Sequence, residues 1–252
     1  MKIYSWIAME TAIGVVSLFL FSATLSTVAG ATQVTFSDGT LSSAGWTYAQ
    51  IRSAGAMATD TFDSLAGNPA PSRRITTTIP AASPAEIVFT FALFNDAIFD
   101  PATAPISSID YFEHSRCTSG CNSLSQATGP ALKQGSEFFV LQRLGAGLTG
   151  SSWLSTSAVG LVQNDFIRVV NAAYPFLDHD SHPDFSSSGA AIQFGYFRAN
   201  SGPLAYSSDG GLDNWSLAVH PQSAVGVPTF GAGALCLLVA LAMFLGVRLM
   251  RK

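Results

Sequence analysis

Basic residues are scarce in this 252-residue chain, which has 12 Lys and Arg against 16 Asp and Glu and a formal net charge of −4 at pH 7. Between residues 32 and 223 we count fifteen acidic and eight basic residues, and Lys133 is the single lysine. An acidic surface lacks the attraction to phosphate that nucleic-acid binding requires. We therefore predict no nucleic-acid partner.

Signatures of catalysis are missing as well. There is no G-x-S-x-G elbow, no H-E-x-x-H helix and no phosphate-binding glycine loop before a helix. A glycosidase needs two carboxylates roughly 5 to 9 Å apart. The acids nearest to each other on a predicted strand, Asp110 and Glu113, are three residues apart and so point to opposite faces. We predict that the chain is not an enzyme, with a polysaccharide-active glycosidase or lyase as the alternative.

The chain has only three cysteines, and two of them, Cys117 and Cys121, lie in a Gly/Ser-containing loop. In an exported protein such a pair predicts a disulfide. A redox or zinc role is the alternative, although no second Cys/His pair stands at ligand spacing. The third, Cys236, lies in the apolar C-terminal segment.

Charge is absent from residues 224–247, and Arg248, Arg251 and Lys252 follow. As a helix, this run would extend roughly 36 Å, enough to cross a hydrocarbon core of about 30 Å. Cationic flanks stay on the cytoplasmic side. The pattern predicts a single C-terminal transmembrane helix with a basic cytoplasmic end, and it places the preceding residues outside the cytoplasm.

The N-terminus agrees with export. Lys2 precedes an apolar stretch at residues 11–23, and small residues at 29–31 provide a cleavage site. We predict a signal peptide at residues 1–31; an uncleaved membrane anchor is the alternative.

The C-terminal segment, residues 227–252, begins with Val227, Pro228 and Thr229 and continues as an apolar helix with a basic end. This layout resembles the bacterial PEP-CTERM sorting tails, in particular the variant that begins Ile-Pro-Thr-Leu or Val-Pro-Thr-Leu. Phe230 replaces the usual Leu. The resemblance implies that an exosortase-like membrane transpeptidase recognises this sorting motif and removes the helix. A plain membrane anchor is the alternative, and residues 220–226 would be the linker.

Helical periodicity is absent between the two terminal segments. Short runs rich in Val, Ile, Thr and aromatic residues alternate with Gly, Ser, Asn, Asp and Pro clusters, and residues 86–94 (EIVFTFALF) form a nearly continuous apolar run. Many strands without βαβ alternation favour an all-β fold. We predict one antiparallel β-sandwich over residues 32–219.

Both ends of this domain carry a second resemblance. Residues 34–41 (VTFSDGTL) with Trp46, and residues 210–219 (GGLDNWSLAV), resemble the first and last strands of carbohydrate-binding-module jelly rolls. The resemblance implies that these two strands are neighbours. It also implies a structural calcium held by Asp38 and Asp213. Ordinary turn and strand-edge hydrogen bonds are the alternative role for these carboxylates.

Aromatic side chains are the candidates for sugar binding, and we predict Trp153, Tyr196 and Trp46 as ligand-binding residues. Trp46 and Tyr196 lie in predicted strands, where core packing is the alternative. Trp153 lies in a Gly/Ser-rich stretch that favours exposure. A further acidic segment, residues 178–184 (DHDSHPD), fits either a metal site or a solvated loop.

Together these features predict an exported bacterial protein, surface-sorted or membrane-anchored, that resides in the cell envelope, at the cell surface or outside the cell. Its expected role is non-catalytic, in an extracellular matrix or biofilm or in glycan binding, with polysaccharide as the expected partner. A purely structural surface protein is a further alternative.

Overall fold

The computed structural model describes residues 32–120, 126–142, 148 and 150–223. The predicted signal peptide, the sorting motif at Val227–Pro228–Thr229, the transmembrane segment and Cys121 lie outside the described residues. Among the residues that are described, no helix has both the length and the apolar character to cross a membrane.

The described part of the chain forms thirteen β-strands and two single-turn 3₁₀ helices, at Ser43–Gly45 and Gln163–Asp165. The strands are β1 (Val34–Asp38), β2 (Trp46–Arg52), β3 (Met57–Asp63), β4 (Ser72–Ile79), β5 (Glu86–Phe99), β6 (Ile106–Ser119), β7 (Ala127–Gln134), β8 (Glu137–Leu141), β9 (Leu154–Leu161), β10 (Phe166–Val170), β11 (Phe176–Asp178), β12 (Ile192–Gly202) and β13 (Tyr206–Pro221). The prediction of an all-β fold is confirmed.

Within the described ranges the strands form two antiparallel sheets. The six-stranded sheet has the order β3-β4-β13-β6-β9, and β1 also pairs with β13. The seven-stranded sheet has the order β11-β10-β8-β7-β12-β5-β2. The antiparallel sandwich is therefore confirmed, while the jelly-roll designation stays a prediction.

The last strand, β13, is the centre of the six-stranded sheet. One of its edges pairs with β6, and the other pairs first with β4 and then with β1, where Val34 lies opposite Val219. The expected pairing of the first and last strands is thus present. Between Asp213 and Ser216 the register with β6 shifts, and Asn214 adopts a positive φ of 49° there.

The core between the sheets is centred on large aromatic rings. Trp46 meets Trp215 at 5.1 Å and Tyr196 at 5.5 Å between ring centroids, and Phe94 lies 5.2 Å from Trp46. Each such side chain buries roughly 150–250 Å². This cluster therefore supplies much of the apolar burial that holds the two sheets together.

A second apolar cluster lies on the opposite face of the seven-stranded sheet. In β5, Val88 and Ala92 belong to the core between the sheets, whereas Phe89 and Phe91 belong to this outer cluster, as period-two alternation requires. Phe197 of β12 joins them. Because β5 is apolar on both faces, its sequence is a continuous hydrophobic run instead of an alternating one.

The core also contains an ion pair that joins the sheets. Glu113 of β6 and Arg198 of β12 are both fully buried, with Oε2 and Nη1 3.2 Å apart. Tyr111 and Thr128 each donate a hydrogen bond of 2.6 Å to the Glu113 carboxylate. Burial, followed by the negative charge of Glu113, raises the pKa of Tyr111 well above its usual value. Tyr111 therefore stays a neutral donor.

Candidate ligand-binding surface

Trp153 lies on the outer face of the six-stranded sheet, immediately before β9. Its indole is half-buried, and the guanidinium carbon of Arg116 stacks over the ring at 4.5 Å from the centroid. Arg116 therefore contacts the Trp153 ring directly, and the ring keeps only part of its surface exposed.

Gly211 of β13 makes room for this stack. It pairs directly with Arg116 of β6. A Cβ at position 211 would lie 3.1 Å from Cη2 of Trp153 and 3.4 Å from Cγ of Arg116. Since glycine has no side chain, the two side chains can lie close against the sheet backbone.

Polar groups continue the same face of the sheet. Glu113 and Ser115 of β6 are buried towards the core, so alternation directs His114 and Arg116 outward. His114 accepts a 2.9 Å hydrogen bond from the amide of Asn214, and the exposed Ser155 lies opposite it on β9. We call Trp153, Arg116, His114, Asn214 and Ser155 the Trp153 surface. An aromatic face beside hydroxyl, amide and guanidinium groups offers both stacking and hydrogen bonding.

Trp46 and Tyr196 require a correction. Trp46 is 6% exposed and Tyr196 is 1% exposed, and both pack in the core between the sheets. The indole N–H of Trp46 donates a 2.7 Å hydrogen bond to Asp38. Neither ring presents a face to the surface, so the core alternative applies and we withdraw them as ligand-binding residues.

The two carboxylates proposed for calcium are occupied by protein donors. Asp38 accepts hydrogen bonds from Thr40 and Trp46; burial raises its pKa, but these bonds outweigh the burial and the pKa lies below its usual value. Asp213 accepts from the backbone N–H groups of Asn68 and Asn214. Within the described ranges, no three His, Cys, Asp or Glu side chains lie close enough together to hold a metal. Calcium at Asp38 and Asp213 stays a prediction.

The acidic segment 178–184 folds as a hydrogen-bonded loop. Asp178 accepts hydrogen bonds from Ser181, Arg168 and the backbone N–H of Asp180, and these contacts lower its pKa to about 2. His182 Nδ1 lies 2.6 Å from the carbonyl oxygen of Phe166. These contacts agree with the second of the two interpretations of residues 178–184, a loop instead of a metal site.

Asp110 and Glu113 point to opposite faces, as their spacing predicts. Glu113 is enclosed in the core, whereas Asp110 lies on the outer face, where it accepts hydrogen bonds from the backbone N–H of Gly160 at 2.7 Å and pairs with His220 at 2.8 Å. They do not flank a common site. The glycosidase alternative therefore has no support from this pair.

Cys117 is buried on β6 and takes part in a disulfide. Cys121 lies outside the described residues, so the pairing of these two cysteines stays a prediction.

Comparison with known proteins gives little further information. No family model matches the chain, and no curated protein matches it. Among solved structures, it is similar to a carbohydrate-binding module studied for specific mannan recognition, with a TM-score of 0.38 and 10% identity over 75% of this chain and 99% of that one.

Proposed function

We propose that this chain is a non-catalytic glycan-binding protein and that the Trp153 surface is its binding site. The observation that carries the proposal is the half-buried indole of Trp153, held on the sheet by Arg116 and Gly211 with polar side chains on the same face. Sugars present C–H groups on one ring face and hydroxyl groups at the edges. A flat aromatic face bordered by hydrogen-bonding groups complements both.

Replacing Trp153 with alanine is expected to weaken polysaccharide binding strongly. Loss of a central aromatic contact costs about 2 kcal/mol, which corresponds to a roughly 30-fold increase in Kd. The measurement is binding to a panel of neutral and acidic polysaccharides by affinity electrophoresis, with calorimetry on those retained.

Tyr174→Ala is the matched control, because Tyr174 is an aromatic residue that is 51% exposed and lies outside the Trp153 surface. It should bind like the unaltered protein. Loss of binding in Tyr174→Ala with none in Trp153→Ala would place the site elsewhere.

We also propose that the protein is exported and acts at the cell envelope, at the surface or in an extracellular matrix, with its C-terminal segment as anchor or sorting signal. The support is the sequence of residues 1–31 and 224–252. Alkaline phosphatase fused after residue 223 should be active in a bacterial host, because this enzyme needs an oxidising compartment. Deleting residues 11–23 should abolish that activity. An inactive fusion, with a fluorescent reporter at the same site bright in the cytoplasm, would contradict export.

A further inference from the structure

We propose that the glycan bound at the Trp153 surface is acidic and that Arg116 pairs with a carboxylate of a uronic-acid unit. This inference depends on the proposed function, since it specifies the ligand class of the same site. It starts from the unusual position of Arg116 among the cationic side chains.

Among the arginines that the structure describes, Arg116 alone has a guanidinium without a hydrogen-bond acceptor in the described part of the chain. The other described arginines contact carboxylates or backbone carbonyls: Arg52 with Ala54 and Ala56, Arg73 with Asp60, Arg74 with Asp209, Arg168 with Glu137 and Asp178, and Arg198 with Glu113. Arg116 contacts the ring of Trp153 and is half-buried. Its guanidinium donors have no acceptor among the described residues, so the site favours a ligand that supplies one.

The ring contact also places this cation. Guanidinium is planar, stacks on aromatic rings and matches the two oxygens of a carboxylate. With its Cζ 4.5 Å from the centroid of the Trp153 ring, Arg116 holds a positive charge beside the indole on the outer face of the sheet. A uronic-acid unit lying near the indole would place its carboxylate within reach, while His114, Asn214 and Ser155 border the same region.

The charge of the whole chain argues against a general attraction for polyanions. At a formal net charge of −4, the protein repels acidic polymers on average. Binding of an acidic polysaccharide would therefore reflect a local site. This makes the inference testable with a single pair of polymers that differ in charge.

The test uses the full-length chain with polygalacturonate and with its fully methyl-esterified form, which keeps the same sugar backbone without the charge. We expect polygalacturonate to bind about tenfold more tightly, as for one charge-assisted bidentate contact. Arg116→Gln should remove that difference, and Arg116→Lys should retain part of it. Arg52→Gln is the control, because Arg52 is an exposed arginine outside the Trp153 surface, and it should keep the full difference. Circular dichroism melting confirms that each variant is folded.

The outcomes separate this inference from the proposed function. Equal binding of the two polymers, with both weakened by Trp153→Ala, would overturn the acidic ligand and keep glycan binding. Binding of dextran sulfate but not polygalacturonate would overturn the carboxylate in favour of a sulfate ester. If Arg52→Gln and Arg116→Gln lose the preference for polygalacturonate equally, the preference arises from general electrostatic attraction, which would overturn the role of Arg116. Binding to no polysaccharide would overturn the proposed function itself.

Discussion

Replacing Arg198 with methionine is expected to lower the free energy of unfolding by about 3–5 kcal/mol. Glu113 would then remain fully buried without its cationic partner, although Tyr111 and Thr128 would still donate to it. Two hydrogen bonds from neutral hydroxyls do not offset the cost of removing a carboxylate from water. Chemical denaturation of the variant beside the unaltered chain measures the difference.

Two further variants identify the cause. Arg168→Met removes a cation that is 32% exposed and pairs with Glu137 and Asp178 at the surface, so it should cost about 1 kcal/mol or less. Combining Arg198→Met with Glu113→Met should recover part of the loss, because no charge is then left buried. If Arg198→Met and Arg168→Met lower the free energy of unfolding equally, the buried ion pair between Glu113 and Arg198 does not contribute strongly to stability.

Replacing Gly195 with alanine should destabilise the sandwich by about 3 kcal/mol, the upper end of the range for overpacking. A Cβ at this position would collide with the carbonyl oxygen of Ala92 and lie 2.7 Å from Cα of Leu93. These are backbone atoms of the neighbouring strand β5, which cannot rotate away as a side chain can. The register between β12 and β5 shifts at this point, which is where a close approach is expected.

Gly39→Ala is the matched control for this substitution. A Cβ at Gly39 would have no heavy atom within 4 Å, so the change should stay within about 0.5 kcal/mol. Thermal or denaturant unfolding of both variants makes the comparison. A Gly195→Ala variant as stable as Gly39→Ala would mean that β5 and β12 can separate locally without cost.

The sequence predicts the strands whose side chains are buried on at least one face. The apolar run at residues 86–94 lies within β5. By contrast, β3 and β9 were not predicted. They are the two edges of the six-stranded sheet, and most of their side chains are small, polar or exposed, so no alternation marks them.

Strand β7 was missed for another reason, because Gly129 and Pro130 interrupt it. A proline has no N–H and is disfavoured inside a sheet. Here the register of β7 with β8 runs only from Ala131 to Gln134, so Pro130 is paired with β12 alone, opposite Tyr196. Only the three-dimensional register shows that the proline is tolerated.

The candidate site was partly accessible from sequence. The Gly/Ser-rich surroundings of Trp153 indicated exposure, and the structure has the residue half-buried on the outer face of the six-stranded sheet. Trp46 and Tyr196 were predicted with it, and only the packing of the two sheets shows that these strand residues are buried. Arg116 and Gly211 were not predicted, because they meet Trp153 through the pairing of β6 with β13, and they are 95 residues apart in the sequence.

The central position of β13 has a consequence for biosynthesis. The ribosome makes this strand last among the thirteen described, yet β1, β4 and β6 all need it as a partner. Contacts between strands far apart in the sequence form slowly. The edges of β1, β4 and β6 that pair with β13 therefore stay unpaired until residue 221 has emerged from the ribosome. The six-stranded sheet therefore closes only when this last strand becomes available, and until then its earlier strands form separate pairs such as β3 with β4.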